Sequence, residues 1–139
     1  MADKIRLRLV TPSRLLLDEE VDEVTSPGAL GEFGVLPNHI SFLSLLEPGE
    51  MSYKQGATRH YLAVSGGYAE VLDNVMTVLA PAAEFAGEID TDRAQRAKET
   101  AEKSMGELLD HEGKDFAAAA AAQRRAQARI EVAGKRANR

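Results

Sequence analysis

The sequence predicts a two-part chain: an N-terminal all-β sandwich or flattened barrel of about 8–10 short strands, followed by a C-terminal antiparallel α-helix hairpin. Three observations predict it. From Lys4 to about Ala83, short segments of alternating hydrophobicity are broken by Gly, Pro, Asp and Asn. From Ile89 onward the composition changes to Ala, Glu, Lys, Arg and Gln, and β-branched residues almost vanish. Two helical stretches there are separated by His111-Glu112-Gly113. The domains are therefore 1–86, the sandwich, and 87–139, the hairpin.

The first strand is Lys4 to Val10, where Ile5, Leu7 and Leu9 fall on one face and Lys4, Arg6 and Arg8 on the other. Further strands are expected at Val21 to Thr25, Phe33 to Leu36, Phe42 to Leu46, Glu50 to Lys54, His60 to Ser65, Tyr68 to Leu72 and Val75 to Leu79. Asp73-Asn74 reads as a tight hairpin turn between the last two. Pairing these strands into two packed layers buries their inward faces.

Asp90 is a suitable N-cap for the first helix, along which Ala94, Ala97, Ala101, Met105 and Leu108 form one apolar stripe until His111-Glu112-Gly113 ends it. The second helix runs from about Asp115 to Val132, opened by Phe116 and six alanines, and Gly134 is placed to stop it. Facing surfaces made mostly of alanine bury little apolar area. At roughly 25 cal/mol per Å² such a contact hardly offsets the entropy of ordering, so two readings stand: a hairpin that detaches cheaply, and, plainer from the residues alone, an alanine-rich helix hairpin with no switching role.

A chain of 139 residues has room for one modest core and an appendage, not for two large domains around a cleft. Without cysteine there is no disulfide framework, thiolate metal site or cysteine nucleophile. The N-terminus does not read as a signal peptide, and no stretch approaches the roughly 20 apolar residues of a spanning helix, so direct membrane insertion is not expected. The net charge of −5 is uneven: residues 113–139 carry seven cations against two acids, a net +5, which leaves −10 for the rest. Such a run is either a solvated helix face or a basic tail for an acidic partner.

Catalytic signatures are missing. Gly28 to Gly34 and Ser65-Gly66-Gly67 lack the Lys-Ser/Thr ending of a phosphate loop and read as turns and bulges. His39, His60 and His111 have no paired ligand at i+3 or i+4, so no metal is assigned. No serine sits in a nucleophile elbow. One constellation remains: Glu84, then Ile89-Asp90-Thr91-Asp92-Arg93-Ala94 at a helix start, with Arg125 and Arg129 one turn apart on the second helix. If the helices fold back, three guanidiniums converge beside a helix N-terminus, which suits a polyphosphate, and Asp90 is a candidate acceptor from an adenine amino group or a ribose hydroxyl. From spacing alone the plainer reading holds, in which Asp90 caps the helix and Arg93 pairs with Glu84 or Asp90.

Several segments in order nevertheless resemble one family, the epsilon subunits of bacterial F-type ATP synthases. They are Val10-Thr11-Pro12, Gly31-Glu32-Phe33-Gly34-Val35-Leu36-Pro37-Asn38-His39, Ala63-Val64-Ser65-Gly66-Gly67-Tyr68-Ala69-Glu70-Val71, Val75-Met76-Thr77-Val78-Leu79 and Ile89-Asp90-x-x-Arg93-Ala94. The resemblance implies a non-catalytic central-stalk subunit whose sandwich binds the gamma subunit and the c-subunit ring, with Glu32, Phe33, Gly34 and His39 in the ring-facing loop. It implies a hairpin that lies folded or extends toward the alpha and beta subunits, where Arg124, Arg125, Arg129, Lys135 and Arg136 meet acidic segments and block ATP hydrolysis. A nucleotide site at Glu84, Ile89, Asp90, Arg93, Ala94, Arg125 and Arg129 follows from the same resemblance. No cofactor is required on this reading, ATP is a candidate regulatory ligand, and no nucleic acid is involved. The implied location is peripheral, on the cytoplasmic face of the bacterial plasma membrane. The arginine that strong nucleotide binders carry about two turns after Arg93 is here Thr100, with Lys98 and Lys103 nearby. The competing readings are a free-standing β-sandwich binding module with a helical tail and, more remotely, an enzyme acting on nucleotides.

Overall fold

A computed structural model describes residues 3–135. Eight strands, β1 (Ile5–Val10), β2 (Leu15–Val21), β3 (Glu23–Ser26), β4 (Phe33–Val35), β5 (Phe42–Gln55), β6 (Thr58–Leu72), β7 (Val75–Leu79) and β8 (Ala83–Phe85), precede a 3-10 turn at Ala86–Glu88 and two helices, α1 (Thr91–Glu107) and α2 (Lys114–Ala133). The strands form one sheet in the order β2-β1-β7-β6-β5-β3-β4, with β8 also paired to β6. It is antiparallel except for the β1–β7 pair.

The sandwich arises because two strands belong to both layers. β5 and β6 pair in one unbroken register from Phe42↔Val71 to Gln55↔Thr58. Along β5 the inward positions are Phe42 and Leu46 at one end but Met51 and Tyr53 at the other; along β6 they are Leu62 and Val64, then Ala69 and Val71. The inward parity thus inverts on both strands at one level, between Leu46 and Met51 and across Gly66-Gly67. Both glycines have positive φ, 105° and 109°. The ribbon turns its other face inward there and crosses from one layer to the other. One layer is β2-β1-β7 with residues 67–72 and 42–46; the other is β8, residues 58–65 and 49–55, β3 and β4. Ile5, Leu7, Leu9, Val21, Val35, Met51, Leu62 and Met76 fill the space between, each fully buried.

The differences from the sequence expectation share this cause. The segments expected as separate strands at Phe42–Leu46 and Glu50–Lys54, and at His60–Ser65 and Tyr68–Leu72, are halves of β5 and β6, because the inversion interrupts the alternation without ending the ladder. The segment expected at Val21 to Thr25 is divided between β2 and β3. β2 was not expected, since Leu15-Leu16-Leu17-Asp18-Glu19-Glu20 does not alternate; pairing with β1 makes it a strand. β8 is too short to show a period. The sheet is an open sandwich and not a closed barrel. Asp73 and Asn74 both take positive φ, 50° and 63°, as a two-residue hairpin turn demands.

Asp90 caps α1, its Oδ1 accepting from the Arg93 backbone N–H at 3.1 Å. α1 stops at Glu107, earlier than expected; Gly106 weakens its last turn, and the Asp110 carboxylate accepts from the Glu112 N–H at 3.0 Å to build a separate turn. α2 ends at Gly134, whose N–H reaches the Ile130 carbonyl. α1 packs chiefly on α2, and α2 lies against β5, β6 and the 3-10 turn.

The inversion makes Gly67 irreplaceable. A Cβ there would collide with the Leu79 carbonyl oxygen and lie 2.9 Å from Ala80 Cα. Gly67→Ala is expected to lower the sandwich's unfolding free energy by about 2–4 kcal/mol in urea titrations. Gly106→Ala, with open space around the added methyl, is expected to stabilise α1 by up to about 1 kcal/mol.

Candidate functional site

A cavity of about 380 Å³ lies where the hairpin meets the sheet. Ala63, Val64 and Ser65 of β6 and Ala82, Ala83 and Glu84 around β8 form its floor; Arg93 and Ala97 of α1 and Ala122, Arg125, Ala126 and Arg129 of α2 form its walls. The Ser65 backbone N–H and hydroxyl both bond the Ala82 carbonyl, at 3.0 Å each, and hold this corner of the floor. Arg125 and Arg129 are one turn apart, and antiparallel packing brings Arg93 opposite them.

Arg129 Nε donates to Glu84 Oε1 at 2.7 Å, and both side chains are largely covered. Among the described residues, the Arg93 and Arg125 guanidiniums form no ion pair. The cavity thus offers three guanidiniums against one carboxylate, with small alanine walls between. Guanidinium forks bind phosphate oxygens in pairs, and alanine leaves room for a flat ring, so the chemistry suits an anionic, partly planar ligand.

Of the seven nucleotide-site residues drawn from the sequence, Glu84, Arg93, Arg125 and Arg129 line the cavity. Ile89, Asp90 and Ala94 do not. Ile89 is buried in a small second core with Ala63, Ala86, Val132 and Ala133, under which Tyr61 packs. Ala94 is fully buried, and Asp90 is engaged by the helix cap. The expected pairing of Arg93 with Glu84 or Asp90 is not formed; Glu84 goes to Arg129, which the fold brings nearer. Ala97, expected within the buried stripe, is exposed and opens into the cavity. Thr100, Lys98 and Lys103 do not line it. The alanine walls and Ser65 escaped the sequence reading because only packing of three elements distinguishes them from other alanines and turns.

The basic helix divides its cations. Arg125 faces the cavity, Arg124 approaches Glu47 at 3.9 Å, and Lys135 bonds Glu50. The Lys135 ammonium, hydrogen-bonded to Glu50 and 4.8 Å from the Tyr61 ring centre, is held above the ordinary lysine range. Arg136 lies outside the described residues.

Of the four residues expected in the tip loop, Phe33 and Gly34 lie on β4, paired to β3, and Glu32 and His39 lie on either side of it; Glu32 and Gly34 are exposed, while Phe33 and His39 are half-buried. Phe33 and His39 stand edge-on to Phe42, at 5.2 and 5.7 Å. Asn74 fixes the loop: its Oδ1 accepts from the Asn38 N–H at 2.7 Å while its Nδ2 donates to the Lys4 carbonyl at 2.8 Å. Leu30, Leu36 and Ile40 project from the same end.

The outer face of the β2-β1-β7 layer carries a row that the sequence reading missed. Leu45 pairs with Tyr68, Tyr68 with Leu79, Leu79 with Val10 and Val10 with Leu15. Four of these five side chains are more than half exposed, Leu45 at 55%, Tyr68 at 54%, Leu79 and Leu15 at 52%. An apolar line across five strands is more than scattered surface leucines. It lies on the layer opposite the one that carries the hairpin.

Val132, fully buried, is the central anchor of the docked hairpin. Val132→Ser is expected to speed hydrogen exchange in α2 about tenfold or more, while the sandwich's denaturation midpoint stays unchanged.

Two family models match the chain: the ATP synthase delta/epsilon chain β-sandwich domain over residues 4–86 and the long α-helix domain of the same chain over residues 88–134. An ATP synthase epsilon chain from Syntrophobacter fumaroxidans is 53% identical over 97% of this chain and 99% of its own length. One from Citrifermentans bemidjiense is 48% identical over the full length of both. Among solved structures, a chain of the Euglena gracilis mitochondrial ATP synthase, OSCP/F1/c-ring, superposes with a TM-score of 0.81 at 26% identity, covering 96% of this chain and 82% of that one.

Proposed function

Since the chain belongs to the ATP synthase delta/epsilon chain family, as an epsilon subunit, we propose that it works in the central stalk as a non-catalytic rotor subunit whose hairpin restrains ATP hydrolysis and whose docking is favoured by bound ATP. The observation that carries the regulatory part is the convergence of Arg93, Arg125 and Arg129 on one cavity between the sheet and both helices. A ligand held from both sides binds the docked hairpin better than the detached one, and it shifts the equilibrium by that difference. High ATP then keeps the hairpin folded; low ATP releases it toward the alpha and beta subunits.

The apolar row on the β2-β1-β7 layer is the surface that supports gamma binding, and the tip loop of Glu32, Phe33, Gly34 and His39 is assigned to the c-ring. The aromatic contacts with Phe42 and the Asn74 clamp favour a firm loop there, which a part transmitting torque requires. No described helix is long and apolar enough to cross a membrane, so the location proposed is peripheral, through partner subunits at the cytoplasmic face of the bacterial plasma membrane. A free-standing binding module explains neither the matches over nearly the whole chain nor their common identity.

Calorimetric titration of the full chain with ATP is expected to show saturable binding that Arg93→Ala weakens about 10–100-fold, the worth of one charge-assisted bond. Heat that does not saturate up to millimolar ATP removes nucleotide sensing from the proposal and leaves the rotor and inhibitory roles standing. Independently, Tyr68→Ser and Leu79→Ser are each expected to weaken capture by the gamma subunit by about 1–2 kcal/mol in a direct binding assay. Unaltered capture means that gamma uses another face.

A further inference from the structure

Three cations of the hairpin end on three carboxylates of the sheet. Arg124 approaches Glu47, Arg129 bonds Glu84 and Lys135 bonds Glu50. Arg124 lies on α2 and Lys135 just beyond its end, about three helical turns further along the chain, and Glu47 and Glu50 flank the level at which the β5–β6 ribbon inverts. The acids therefore form a rail beneath the helix, each reached by one of its cations. The apolar part of the same contact is small, with Val132, Ala133 and Ala126 supplied by the helix and Ala63, Ala86 and Ile89 by the body it docks on. Where apolar area is this limited, ion pairs carry an unusual share of the docking equilibrium, and α1, packed chiefly on α2, follows α2.

We propose that Glu47, Glu50 and Glu84 are an internal stand-in for the hairpin's acidic partner, so that release of the hairpin is a competition between this rail and an external polyanionic peptide surface for Arg124, Arg129 and Lys135. In the docked hairpin Arg124, Arg129 and Lys135 are each engaged by a carboxylate of the sheet, so an external acidic surface competes with that carboxylate for the same cation. The device rests on the proposed inhibitory role and adds what sets its threshold: not a mechanical spring but a count of carboxylates. It also makes the docked state sensitive to ionic strength, because all three pairs are partly exposed, Arg124 and Lys135 most of all, with side-chain exposures of 51% and 44%.

The chain has no cysteine, so a donor and an acceptor dye can be attached uniquely through Thr58→Cys at the start of β6 and Glu102→Cys on α1, both exposed. Energy transfer is then read in the nucleotide-free full chain, for the parent and for the combined Glu47→Gln, Glu50→Gln and Glu84→Gln variant. The expected result is an open population about tenfold larger in the variant at low salt, the combined effect of three partly exposed pairs. The parent is expected to open as salt rises from about 0.01 M to about 1 M, where the screening length falls from about 30 Å to about 3 Å, while the variant's response is nearly flat. Poly-glutamate at low salt is expected to open the parent, and the exchanged pair Glu50→Lys with Lys135→Glu to close near the parental level. Equal open populations in parent and variant, or a parent indifferent to salt and poly-glutamate, overturn the proposal. ATP hydrolysis by the assembled complex is measured alongside: a variant that opens more readily with unchanged hydrolysis supports the rail and overturns the inhibitory role on which it was built.

Discussion

The continuous pairing of β5 with β6 is the constraint on which the rest of the molecule depends. Because both strands invert their pleat at one level, a single hydrogen-bonded ribbon supplies two layers and two unlike outer surfaces. On one half, Leu45 and Tyr68 face outward beside Leu79. On the other half, Glu50 and Ala63 face outward, and α2 docks there. The inversion needs a backbone that L side chains rarely adopt, and Gly66-Gly67 supplies it at the point where the Leu79 carbonyl presses against the strand. Two adjacent glycines thereby determine which residues become core, which meet the hairpin and which stay exposed on the other layer.

The two regions differ in how they are held. The sandwich interior is a contiguous set of fully buried Leu, Ile, Val and Met side chains whose loss would leave large cavities. The hairpin meets it through alanines, one valine, one isoleucine and a few partly exposed ion pairs. Stability is therefore graded along the chain, and a part that opens before the whole unfolds is the natural consequence. The same grading leaves space beneath the helices. Alanine at 63, 82, 97, 122 and 126 is too small to fill the gap between sheet and hairpin, so a cavity remains where larger side chains would have closed the contact.

The sequence made most of the architecture legible because its two periods are clean. Ile5, Leu7 and Leu9 announced a strand, Asp90 and Gly134 bracketed the helices, and Asp73-Asn74 marked a hairpin turn. What it concealed depended on pairing. β2 is a strand only beside β1, and the two long strands read as four because periodicity measures which face is buried and not whether the ladder continues. The candidate site was legible in its charges and not in its walls. Glu84, Arg93, Arg125 and Arg129 stood out as ions, whereas Ser65 and the alanines acquire meaning only when three elements converge. The ion pairing was misjudged for a related reason: Arg93 is nearer to Glu84 in sequence, but Arg129 is the one the antiparallel hairpin delivers to it.

Placing the hairpin and the apolar row on opposite layers has a consequence for any rotating assembly. A subunit that must stay fixed to a shaft while part of it moves needs an anchor whose contacts are independent of the moving part. Leu15, Val10, Leu79, Tyr68 and Leu45 belong to strands that α2 does not cover, except through the far ends of the β5–β6 ribbon. Undocking the helices uncovers Ala63, Tyr61 and Glu50 without removing a neighbour from that row. With the proposed shaft contact on the hairpin's own face, the two would compete for the same surface. The two faces are joined through the β5–β6 ribbon, which supplies strands to both layers.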